Sequence, residues 1–105
     1  MKNNFSLETR ELFDCGGYAI SHETGTNDAD CLHHIIGRDS NSPYNAAPLN
    51  NMRDHMPEGR KGLPPLSSQI VRSKYLQKTK KHLDSIGYKP NETDLKFLAD
   101  YAKYY

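Results

Sequence analysis

The stretch GRDSNSPY, residues 37–44, decides most about how this chain is built. A run so rich in Gly, Ser, Asn, Asp and Pro cannot sustain a periodic hydrogen-bond pattern and has to be a loop. On its N-terminal side, YAISH (18–22) and ADCLHHII (29–36) read as strands joined by the turn formers ETGTND. On its C-terminal side, AAPL (46–49) reads as a short strand that Pro48 restricts to an edge or a strand end. NNMRDHM (50–56) then offers an Asn N-cap and about two helical turns, stopped by Pro57 and Gly59.

The flanks are helical. Ser6 is placed to cap a short helix over SLETRELF, which CGG (15–17) ends. After the linker EGRKGLPP, a helix runs from Ser67 and Ser68 to about Ile86, with Ile70, Tyr75, Leu76, Leu83 and Ile86 as its apolar face and Gly87 closing it. The last helix starts at NETD with Asn91 as N-cap, and Leu95, Leu98 and Ala102 form a stripe with Phe97, Tyr101 and Tyr104 beside it. So wide an apolar surface needs cover, either from the preceding helix or from the same helix of a partner in a homodimer. The expected class is α+β: a short antiparallel hairpin plus helix within residues 1–62, then two C-terminal helices within 63–105 of the same domain.

At 105 residues the chain has room for one modest core, and only 35% of it is hydrophobic. A metal, a partner subunit or DNA is therefore expected to help hold the fold. No run approaches the roughly 20 apolar residues that span a bilayer, and MKNNFSLETRELF lacks the apolar block of a signal peptide, so a soluble cytoplasmic protein is expected, with no membrane partner. Cys15 and Cys31 are too few for a disulfide scaffold, and Cys15 reads as a buried thiol.

Net charge is +1, but residues 33–89 hold ten Lys and Arg against four Asp and Glu, while residues 1–32 hold two against six. Such asymmetry is expected when one face meets a polyanion. Lys74, Lys78 and Lys81 recur at i, i+4 and i+7, one basic stripe on a helix.

The order from residue 31 to residue 55 is a strand ending in a His pair, a polar loop with Asn, an apolar PL step, and a short helix bearing His. This resembles the HNH endonuclease family, the ββα-metal or His-Me finger group, and particularly its small phage-type members. The resemblance implies a metal-dependent endonuclease or nickase acting on DNA. It implies that His34 is the general base, that the amide of Asn45 pins the loop so that the base is correctly turned, and that His33 and His55 bind one divalent ion (Mg, Mn, Ni or Zn). It places Arg38, Arg53, Arg60 and Lys61 near the phosphate backbone, with Lys74, Lys78 and Lys81 on neighbouring phosphates. It also suggests a bacteriophage protein.

Phosphodiester hydrolysis independently calls for these groups, because it needs a base working near neutral pH and positive charge on the phosphorane and leaving oxygen. Side chains of neighbouring strand residues point to opposite faces, so His33 and His34 serve one site only where the strand ends or bulges. His55 also follows Leu49 by six positions where the family pattern has five, so strict counting lands on Asp54. That slip favours the alternative, a non-catalytic DNA-binding accessory module of recombination or packaging on the same fold. His22 and His82 read as ordinary surface or satisfied core histidines.

Overall fold

The computed structural model describes residues 5–37 and 40–105. Ser6 caps α1 (Leu7–Phe13) by accepting from the Thr9 backbone N–H. CGG does more than end this helix. Gly16 and Gly17 both take positive φ, 74° and 93°, and Cys15 pairs with Tyr18 across them in a two-residue turn. Glycine adopts that pair of conformations without steric cost. Cys15 is exposed there, contrary to the expected burial, and Cys31 is the buried thiol.

The expected strand YAISH shrinks to two isolated bridges, Tyr18 to Cys15 and Ala19 opposite Ala29. Ser21 already turns the chain, donating its N–H to Thr26 and accepting from Gly25. β1 (Cys31–His34) and β2 (Ala46–Leu49) pair antiparallel, with Cys31 opposite Leu49 and His34 opposite Ala46. All four residues of β2 are buried, and the Pro48 carbonyl accepts from the His22 N–H at 2.9 Å. Pro48 thus serves the sheet as an acceptor where it cannot donate.

A 3-10 turn (Pro43–Asn45), capped by Ser42, feeds β2. Beyond β2, the expected two helical turns are replaced by one wide π turn (Asn51–His55). Asn50 caps it, and the N–H groups of His55 and Met56 reach back five residues to the carbonyls of Asn50 and Asn51.

α2 (Gln69–Ser85) buries Val71, Tyr75, Leu76, Thr79 and Leu83, a face recurring every three or four residues. Tyr75, Leu76 and Leu83 are fully enclosed, each apolar side chain of this kind contributing about 1.5–3 kcal/mol. Ile70 and Ile86 fall off that face and are 75% and 48% exposed, so neither belongs to the core. α3 (Glu92–Asp100) opens with a reciprocal box between Asn91 and Asp94 and buries Asp94 and Phe97. Leu95 and Ala102, expected to face inward, point to solvent. The chain end is tied to α2 instead, because Ser73 Oγ and Gln77 Nε2 both donate to the Tyr104 carbonyl. The result is a small α+β domain with a two-stranded antiparallel sheet and three helices among the described residues. No helix of the described residues is long and apolar enough to cross a membrane.

Candidate functional site

His33 and His34 occupy the end of β1, and the strand finishes at His34. The two rings have different neighbours. His33 meets His55 edge to face, with ring centres 5.0 Å apart and planes at 60°. His34 stacks on Phe5 at 4.0 Å, planes at 17°, and its Nε2 lies 3.0 Å from Asn41 Oδ1.

The π turn explains why His55 rather than Asp54 reaches His33. A π turn takes one more residue than an α turn to close, which absorbs the surplus residue between Leu49 and His55. Asp54 is turned inward, 1% exposed, accepting from Ser21 Oγ (2.7 Å), the Asn50 N–H (2.9 Å) and Arg53 Nε (2.7 Å). Burial alone would raise its pKa; the bonds from Arg53, Ser21 and Asn50 outweigh that and hold the carboxyl below its usual range. Asp54 is a structural anchor of the turn.

Asn45 is fully buried and its amide ties the loop together. Its Oδ1 accepts from the Ile36 N–H at 2.8 Å, and its Nδ2 donates to the carbonyls of Ser40 (2.9 Å), Ile36 and Gly37 (both 3.3 Å). The start of the polar loop and its Ser40 are thereby fastened to one side chain.

His33 is neutral at physiological pH. Burial chiefly, and then the charges of His55, His34, Arg60 and Arg72, lower its pKa to about 4. A neutral imidazole keeps a lone pair for a metal. Two imidazoles bound to one ion through bonds of about 2.1 Å stand with ring centres about 5 Å apart when the angle at the ion is near tetrahedral, so the His33–His55 spacing fits a shared ion. No group of three or more His, Cys, Asp or Glu forms such a site among the described residues. His33 and His55 would be the two protein groups to hold such an ion.

The expected phosphate contacts divide. Arg38 lies outside the described residues. Arg53 is held by Asp28 and Asp54. Arg60 is 6% exposed and donates to the Asp54 carbonyl (3.0 Å), Tyr75 Oη (3.2 Å) and the Pro64 carbonyl (2.6 Å). A guanidinium so engaged is a core strut, which corrects its assignment to DNA. Lys74 lies 3.6 Å from Glu23 and Lys78 donates to the His22 carbonyl at 2.8 Å, so the expected basic stripe is largely bound to the protein itself. Lys61 and Lys81 are exposed.

Arg72, in the first turn of α2, is the residue that pattern reading passed over. Its Nε is buried with no hydrogen-bond partner among the described residues, and its charge is felt at His33. A buried N–H of a cation without an acceptor is costly unless an anion completes it. One signal for it was present in the sequence, a cation four residues beyond the Ser68 cap, where a helix N-terminus favours anions. His22 and His82 have structural partners, Thr79 Oγ1 and the Leu12 carbonyl, each at 2.7 Å. Comparison of the chain with protein-family models, curated proteins and solved structures finds no match.

Proposed function

We propose that this chain is a metal-dependent DNA endonuclease or nickase of the HNH type, with β1, β2 and the π turn acting as its ββα-metal finger. The observation that carries the reading is the approach of His33 from the strand and His55 from the turn, beside a strand-end His34 and a loop fastened by Asn45. His33 and His55 would hold one divalent ion (Mg, Mn, Ni or Zn), which when bound supplies positive charge to the phosphorane and the leaving oxygen. His34 takes the proton from the attacking water, and Asn45 holds the loop that orients it. Arg72, whose charge is felt at His33, adds positive charge beside the site, with Lys61 and Lys81 as outlying backbone contacts. Such contacts position DNA without reading its sequence, and one site per chain cuts one strand at a time.

The surplus residue before His55 is what favours a non-catalytic DNA-binding module. The π turn takes up that residue, which supports the catalytic reading over the alternative. Incubation with supercoiled plasmid and each metal in turn tests it. Nicked circles should accumulate first and EDTA should abolish them; intact plasmid with every metal, despite measurable DNA binding, would favour the accessory module.

A further inference from the structure

His34 is gripped by more than its strand. Its ring lies flat on Phe5, and Nε2 meets the side-chain oxygen of Asn41 at 3.0 Å. Stacking fixes a ring's plane but leaves two orientations related by a half-turn about the Cβ–Cγ bond. A directional bond at one nitrogen selects between them. With Asn41 Oδ1 as acceptor, Nε2 carries the hydrogen and Nδ1 keeps the lone pair.

Asn41 is itself held from both sides. The residue before it, Ser40, has its carbonyl bound by Asn45 Nδ2 at 2.9 Å. The residue after it, Ser42, is buried, and its hydroxyl donates to Asp94 Oδ1 at 2.6 Å. Asp94 is fixed in turn by Tyr88 Oη and by the Asn91 N–H at the start of α3. The loop thus presents an exposed asparagine from a clamped backbone.

We propose that Asn41 is a positioning residue: it holds His34 by Nε2–H and so aims the lone pair of Nδ1 at the attacking water. In the step this serves, a water O–H bond breaks, the Nδ1–H bond forms, and the resulting hydroxide oxygen bonds to phosphorus. The inference rests on the reading of His34 as the general base and names the group that orients it. It assigns α3 a remote part in the chemistry, because Asp94 fastens the loop 52 residues away in sequence.

The hydrogen bond is read by ¹⁵N-edited NMR of the intact protein at neutral pH and low temperature. Wild type should show a slowly exchanging His34 Nε2–H signal, which Asn41→Ala removes and Asn41→Asp, retaining an acceptor oxygen, keeps. Because Asn41 is exposed, the alanine variant is expected to fold. On plasmid with saturating metal, Asn41→Ala should lower kcat about five- to tenfold and leave KM within about twofold, the signature of lost orientation rather than lost binding. A protected Nδ1–H in place of Nε2–H, or a signal indifferent to Asn41→Ala, overturns the inference. The expected signals in a protein whose wild type cuts no DNA would leave the bond standing and overturn both its purpose and the nuclease reading. Full activity in Asn41→Ala beside an active wild type would overturn the positioning role alone.

Discussion

His33 and His55 meet edge to face with 5.0 Å between ring centres, one delivered by a strand end and the other by a π turn. Asp54, one residue earlier, is turned into the protein by the same turn and is bound on both carboxylate oxygens. His55→Ala should therefore abolish binding of one equivalent of divalent metal in isothermal titration. Asp54→Asn should keep the ion and lower thermal stability, since it weakens the charge-assisted bonds to Arg53. Metal lost in Asp54→Asn and retained in His55→Ala would reverse the assignment.

Gly59 makes the turn possible from outside. A Cβ there would collide with the Met52 carbonyl oxygen and lie 2.5 Å from that of Arg53, both backbone atoms of the π turn. Gly59→Ala must push the turn, and His55 with it, at a cost of about 1–3 kcal/mol. Denaturant unfolding and metal titration should both register the change. An unaltered midpoint with unaltered metal affinity would show that the approach is looser than the geometry states.

Arg60 and Arg72 should separate cleanly. Arg60→Met removes a buried cation that bridges the Asp54 carbonyl and Tyr75 Oη and lies 3.7 Å from Glu23. Because Lys74 still faces Glu23, the loss should fall near the lower end of the usual range for breaking a buried pair, about 3 kcal/mol. Arg72→Ala should leave stability nearly unchanged, weaken DNA binding, and flatten the slope of log K against log salt by about 0.9. The opposite pattern would return Arg60 to the DNA interface.

Much of this was legible in the chain, and the remainder had physical reasons to be hidden. AAPL and the caps Ser6, Ser68 and Asn91 act through short-range chemistry, and each forms the expected element, whereas the end of GRDSNSPY, read as aperiodic, closes into the 3-10 turn Pro43–Asn45. YAISH has the composition of a strand, yet Ser21 is drawn away by Asp54 and by the turn to Thr26, leaving only Tyr18 and Ala19 in isolated bridges. Thr79 belongs to the core because its hydroxyl donates to the Ala46 carbonyl and receives His22, a match across 33 and 57 residues that no local pattern announces. The same is true of the cations. Spacing could place Lys74 and Lys78 on one helix face, but not reveal that Glu23 and the His22 carbonyl would be waiting opposite them.

That buried His22 gives the fold an acid limit. The Thr79 hydroxyl donates to Ala46, so it can only accept from His22, whose Nε2 must carry the hydrogen. Burial first, and then the charges of Lys78, His82 and Lys74, lower its pKa from 6.5 to about 3. The unfolded chain takes up the proton below about pH 6.5 and the folded one does not until about pH 3, so stability falls with pH across that window. By pH 4 the loss from this residue is about 3 kcal/mol. His22→Gln should show a correspondingly shallower acid slope in urea midpoints; a slope equal to wild type would mean the imidazole is protonated in the fold.

The most direct measurement is nicking of supercoiled plasmid by wild type and His34→Ala, side by side, at metal concentrations saturating for both. Wild type should convert plasmid to nicked circles, and the variant, binding metal and DNA as before, should be slower by about 10²- to 10⁴-fold, the contribution of a general base. Cleavage by His34→Ala within a few-fold of wild type would contradict that role.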